Sequence, residues 1–219
     1  MITSPAAVWI NSFFAGFDLG ITQAIHNIFY PIKGFSSPFF DFISLMGKGG
    51  IFLILLSLSL IFFTRSRRMG TAMLIAVTIG FLITNCCLKL IIARARPYAD
   101  ESSLYYQLWL LVGQRMESDN SFPSGHTTAA FATMTALFFT GNRKYSWTAF
   151  IFAFLMAVAR IYLVVHFPSD CLAGMLVGFT AGVIATLITM KLPYRWFELD
   201  LIAPFKREKR VGAHQKGDQ

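Results

Sequence analysis

Eight residues in three short stretches could do chemistry together, seven through their side chains and Gly125 through its backbone. In "DNSFPSGHTTAAF" (119–131), His126 stands at the head of an apolar run, directly after Pro123, Ser124 and Gly125. An imidazole titrates near neutrality and suits proton transfer. Ser124 and Gly125 fit a helix start, where free N–H groups and a partial positive charge favour an anion. An ordinary capped helix start reads the same way. In "ARIYLVVHFPSD" (159–170), Arg160 lies inside an apolar run, where a cation is costly and normally paired or functional. His166 follows six residues later. Six residues turn a regular helix through about 600°, so the two share a face only if the helix loosens near Val164 and Val165 or the arginine reaches around. Asp170, just past Pro168, offers a carboxylate to His166 or simply compensates a helix dipole.

The third stretch is "KLIIARARP" (89–97). Lys89 and Arg96 are seven residues apart, nearly two turns, so they share a face at about 10 Å of rise. Pro97 marks the helix end. Arg94 lies off that face and reads as an interfacial anchor, and Lys89 taken alone reads the same way. Taken together, three cations, two histidines and one carboxylate need an anion. Phosphate suits them, because arginine offers planar donor forks and lysine a point charge.

The elements that must position these groups are membrane helices. The chain has 219 residues, 55% of them hydrophobic, with 23 Phe and only 14% charged residues, against roughly 25% charged in soluble domains. The expected fold is an all-α polytopic bundle forming one domain over 1–219. Five spans are expected near 49–64 (extended backward through "FFDFISLMGK"), 70–91, 124–140, 145–165 and 168–190, each approaching the ~20 residues a bilayer requires. Residues 7–30 read equally as an interfacial helix or a sixth span. The loop 98–122 carries "LYYQLWLLV", a helix for the headgroup level with Trp109 near the headgroups. Cys86, Cys87 and Cys171 show neither disulfide nor metal-ligand spacing and read as small packing residues. The N-terminus lacks the positive segment of a cleaved signal peptide, so it is expected to be retained.

The net charge of +8 could suggest nucleic acid, but its distribution fits topology instead. With alternating spans, Arg65, Arg67, Arg68, Arg143, Lys144, Lys191, Arg195, Lys206, Arg207, Lys209, Arg210 and Lys216 share one side, including a basic tail over 191–219. By the positive-inside rule that side is cytoplasmic, and the opposite side receives His126 and His166.

Lys89-x6-Arg96-Pro97, Pro123-Ser124-Gly125-His126 and Arg160-x5-His166-x3-Asp170, in this order over residues 89–170, resemble the three-part signature of the type 2 phosphatidic acid phosphatases, relatives of the vanadium haloperoxidases. The resemblance implies a bacterial inner-membrane lipid phosphatase with its site on the extracytoplasmic face and no metal or other cofactor. It implies His166 as nucleophile, Asp170 as its orienter and His126 as the acid and base. Lys89, Arg96, Arg160, Ser124 and Gly125 would then bind the phosphate. Implied substrates are undecaprenyl diphosphate, phosphatidylglycerophosphate or phosphatidic acid. A phosphotransferase would share these motifs, whereas a scaffold binding anionic lipid would need the cations but not His166 with Asp170. Two departures stand out. Ala159 replaces the serine usual before the arginine, and Gly125 stands where undecaprenyl diphosphatases of the family often carry an acidic residue.

Overall fold

The computed structural model describes residues 4–198, so the tail cations from Lys206 onward lie outside the described residues. Those residues form an all-α bundle without strands. Helix α1 (Pro5–Phe29) starts on Ser4, whose side chain accepts from the Ala7 N–H. A 3-10 turn leads into α2 (Lys33–Gly47). The expected continuous span through residues 39–64 is broken: Gly49 (φ 60°) and Gly50 (φ 69°) adopt left-handed conformations that suit glycine. Only then does α3 (Ile51–Phe62) begin, and its 12 residues rise about 18 Å, short of the hydrocarbon thickness.

The second span is α4 (Arg67–Phe81), which continues through a π-helical turn (Leu82–Leu88) into α5 (Lys89–Ile92). The wider winding of a π turn rotates the next stretch of helix about its axis, and here the turn directly precedes Lys89. Ala93, at φ 47°, ends the helix. Cys86 and Cys87 sit exposed on this turn rather than packing inside, whereas Cys171 is buried.

After α6 (Leu104–Leu111) come α7 (Gly125–Thr140), the short α8 (Arg143–Ser146), α9 (Ala149–Tyr162), α10 (Pro168–Met190) and α11 (Tyr194–Glu198). The central helix is α7, packed by α4, α9 and α10. Its small and threonine-rich faces allow this. On α10, Cβ atoms at Gly174, Gly178 and Gly182 would fall 2.8, 2.5 and 2.5 Å from α7 atoms or the residue capping α7. Small residues at four-residue spacing permit that close approach, which is how membrane helices gain packing energy without a hydrophobic driving force.

Trp109 is buried. It stacks on Tyr98 at 4.9 Å and donates its indole N–H to the Arg115 carbonyl, pinning the loop over the bundle. Helix α1 meets the bundle at one end. Asn11 and Asp18 bond Arg94, just past α5, Asp18 also bonds Ser169 at the start of α10, and His26 stacks on Tyr162 at the end of α9. These contacts lay α1 across that end, with Trp9, Phe13 and Phe17 facing outward as an interfacial helix requires. At the opposite end Arg68, Arg143 and Met190 gather around one cleft.

Candidate active site

A cavity of about 500 Å³ opens at the α1-covered end, lined by Lys89, Arg96, Gly125, His126, His166, Glu117 and Asp119 among others. Lys89 and Arg96 converge as their spacing predicts, but on a protein carboxylate. Both pair with Asp119, and the Arg96 Nε also donates to the Asp119 carbonyl at 3.0 Å. Arg160, fully buried in α9, pairs with Glu117 and donates to Ser44 Oγ at 2.5 Å, while its Nε has no partner among the described residues. Burial pushes the Asp119 carboxyl up, but Lys89 and Arg96 outweigh it and hold the group below the usual carboxylate range. Glu117 and Asp119 are not singled out by the sequence. Their only signal there is an acidic cluster in the loop, "ESDN", opposite in charge to the cations.

His166 lies in the link between α9 and α10. The helix unwinds after Tyr162, and Val164 adopts φ 53°, an uncommon conformation for a β-branched residue. Of the two alternatives left open by the six-residue spacing, unwinding is the one observed. The His166 Nε2 stands 3.1 Å from Arg96 Nη1, and its Nδ1 stands 3.5 Å from both Asp170 Oδ2 and Ser121 Oγ. Guanidinium nitrogen only donates, so Nε2 accepts and the neutral ring carries its proton on Nδ1, facing Asp170. Burial first, then the charges of Arg96, Arg160 and Lys89, hold the imidazole well below its ordinary pKa. His166 is therefore neutral at pH 7, with a lone pair aimed at the cation cluster.

Asp170 is held from three sides, accepting from Ser121 Oγ (2.5 Å), the Phe167 N–H (2.9 Å) and Arg94 Nη1 (2.5 Å). This corrects the reading of Arg94 as an anchor. Its side chain is 1% exposed and is shared between Asp170 and Asp18 of α1. Asp18 in turn accepts from the Ser169 N–H and hydroxyl. The sequence does not point to Ser121 or Arg94, because their partners are remote along the chain.

His126 occupies the first turn of α7. The preceding Ser124 uses its hydroxyl to cap that turn, accepting from the Thr127 N–H and hydroxyl, so Gly125 and His126 are the motif residues that line the cavity. A Cβ at Gly125 would lie 3.3 Å from Asn85 Oδ1 and 3.9 Å from Lys89 Nζ. The Gly47 backbone packs against the His126 ring, where a Cβ would come within 2.7 Å of His126 Cδ2. Beyond His126 the cavity continues as a mostly apolar slot between α3 and α4, walled by Ile54, Val77, Phe81 and Ala129. Phe81 is 54% exposed on the outer face. A bound molecule can thus place an anionic head among the cations and an apolar tail in the slot.

Residues 67–194 match the model of the PAP2 superfamily. An undecaprenyl-diphosphatase of Bacillus subtilis is 33% identical over 131 residues, 59% of this chain and 63% of the relative. One from Sulfolobus acidocaldarius is 28% identical, over 72% of each chain. A lipid A 4'-phosphatase of Porphyromonas gingivalis is 26% identical over 80% of this chain and 77% of its own. Among solved structures, a PAP2-type phosphatidylglycerolphosphate phosphatase of Bacillus subtilis superposes with a TM-score of 0.64 and 25% identity, covering 86% of this chain and 92% of that one.

Proposed function

The chain belongs to the PAP2 superfamily, and we propose that it is a membrane lipid phosphatase working through a phosphohistidine. The observation that carries this is the disposition of His166: Nδ1 towards the anchored Asp170, Nε2 towards the cation cluster. A nucleophile with an orienter on its far side follows the general logic of activated nucleophiles.

In the proposed reaction the terminal phosphoryl group takes the place that Asp119 and Glu117 hold among Lys89, Arg96 and Arg160. The Gly125 N–H completes the cradle, while the Ser124 hydroxyl expected to share it stays engaged with Thr127 as the cap of α7. His166 Nε2 attacks phosphorus as the bond to the leaving oxygen breaks, and His126 gives that oxygen its proton. Asp170 stabilises the charge left on the His166 ring. His126 then takes a proton from water, whose oxygen attacks the phosphohistidine and releases inorganic phosphate. The three side-chain cations supply the charge stabilisation that a divalent ion supplies elsewhere, so the reaction is proposed to be metal-independent.

The substrate is a lipid phosphate or diphosphate, with undecaprenyl diphosphate, phosphatidylglycerophosphate and phosphatidic acid as the candidates. The similarity to undecaprenyl diphosphatases favours the first, whereas Gly125 in place of an acidic residue favours the glycerolipids. Transfer of the phosphoryl group to a second lipid would use the same site. The site is proposed to face the outside of a bacterial plasma membrane, because Arg68 and Arg143 gather at the opposite end of the bundle.

The test is phosphate release by purified protein from a panel of these lipids, with and without EDTA. Activity should survive chelation and vanish in His166→Ala, whereas His126→Ala should slow turnover and accumulate labelled phosphoenzyme. Substantial steady-state activity in His166→Ala would remove it from the nucleophile role, and complete loss with EDTA restored by Mg²⁺ would refute the metal-independent cradle.

A further inference from the structure

The cavity contains a cation that the cradle does not use. Lys48 lies between Gly47 and the left-handed pair Gly49–Gly50, and all four residues line the cavity. Lys89 and Arg96 share the one carboxylate of Asp119, and Arg160 pairs with Glu117. Among the described residues Lys48 takes part in none of the ion pairs. Its position is as informative as its freedom. Gly47 packs on the His126 ring and Gly50 abuts Val77 of α4, so Lys48 sits between the proton donor and the start of the apolar slot. Lys48 is exposed where it lines the cavity, so an anion on a bound molecule can reach it. The two glycines let the chain break α2 from α3 there and present the lysine to the cavity.

We propose that Lys48 binds an anionic phosphorus group on the leaving side of the scissile bond and so makes the enzyme selective for substrates whose leaving group is itself a phosphate ester. This deepens the phosphatase reading above and rests on it. His126 marks where the leaving oxygen lies, and Lys48 stands beside it on the tail side. With a prenyl diphosphate, the His166 Nε2–P bond forms and the bridging P–O bond breaks. The leaving prenyl monophosphate takes the proton from His126, and the negative charge gathering on it meets the Lys48 ammonium. With phosphatidylglycerophosphate the anion is the phosphodiester, further along the leaving group. Phosphatidic acid and a prenyl monophosphate leave as neutral alcohols and offer Lys48 nothing.

Wild type, Lys48→Met and Lys48→Arg would be assayed in mixed micelles on farnesyl diphosphate, farnesyl monophosphate, phosphatidylglycerophosphate and phosphatidic acid. Lys48→Met should lower kcat/KM about 10- to 100-fold, the size of one lost charge-assisted hydrogen bond. The loss should appear on farnesyl diphosphate, on phosphatidylglycerophosphate or on both, identifying the source of the anion. The two substrates with neutral leaving groups should change less than about threefold, which also shows that the variant is folded, and Lys48→Arg should restore the selectivity. Equal losses on all four substrates, or none on any, would overturn the role of Lys48 while leaving the phosphatase reading intact. A wild type that releases phosphate from none of the four would overturn both.

Discussion

Replacing Arg94 by methionine tests whether the buried charges behind His166 form a counterion network. Arg94 Nη2 meets Asp18 Oδ2 at 2.8 Å and Nη1 meets Asp170 Oδ1 at 2.5 Å; the three side chains are 1%, 2% and 0% exposed. Asn11 Oδ1 accepts from its Nε at 2.7 Å, and the guanidinium lies over the Phe167 ring. Methionine keeps much of the volume and removes the charge, leaving two carboxylates buried without a cation. Breaking a buried pair in this way costs about 3–5 kcal/mol. For a chain of this size 1 kcal/mol corresponds to roughly 2–4 °C in Tm, so Arg94→Met should lower Tm by about 6–20 °C. Adding Asp18→Asn should recover part of the loss, because one of the stranded carboxylates is then gone. Unfolding can be followed in detergent through labelling of the buried Cys171 after Cys86 and Cys87, both exposed, are changed to Ala. Because Asp170 orients His166, kcat of Arg94→Met should also fall about a hundredfold with KM little changed. A Tm loss below about 3 °C, or no recovery in the double variant, would refute the network.

Sidedness is checked with single cysteines at two exposed positions in a background lacking Cys86, Cys87 and Cys171. Glu101→Cys, in the loop on the site side, should react with an impermeant maleimide in intact cells, and Thr64→Cys only after permeabilisation; the reverse pattern would turn the site inward. The depressed pKa of His166 gives a second test. Above about pH 6.5 neither the folded nor the unfolded form binds this proton. As pH falls below about 6.5 the unfolded chain takes it up and the folded one does not, so wild type loses up to about 1.4 kcal/mol per pH unit that His166→Asn does not. The Tm of wild type relative to His166→Asn should therefore fall between about pH 7.5 and 5, and a rise would mean that the folded site favours imidazolium.

The sequence alone determined whatever depends on local spacing and transfer energy. Long apolar runs place α7, α9 and α10 within a few residues, because a hydrocarbon solvent leaves little choice for such segments. Lys89, Arg96, His126, His166 and Asp170 were legible because their plain explanations compete poorly once all of them reach the same end of the bundle. The break at Gly49–Gly50 was not legible, since apolar residues flank it and hydropathy is blind to φ. The unwinding at Val164 was legible only as one of two alternatives, because the choice depends on the buried surroundings that hold a β-branched residue at positive φ. Tertiary structure alone decided the pairings between remote residues: Arg94 with Asp18, 76 positions away, Arg160 with Glu117, and Lys89 with Asp119. A buried charge must find a counter-charge, but the sequence does not say which one. That choice is made only when α1 and the loop over the cavity close on the ends of the membrane helices.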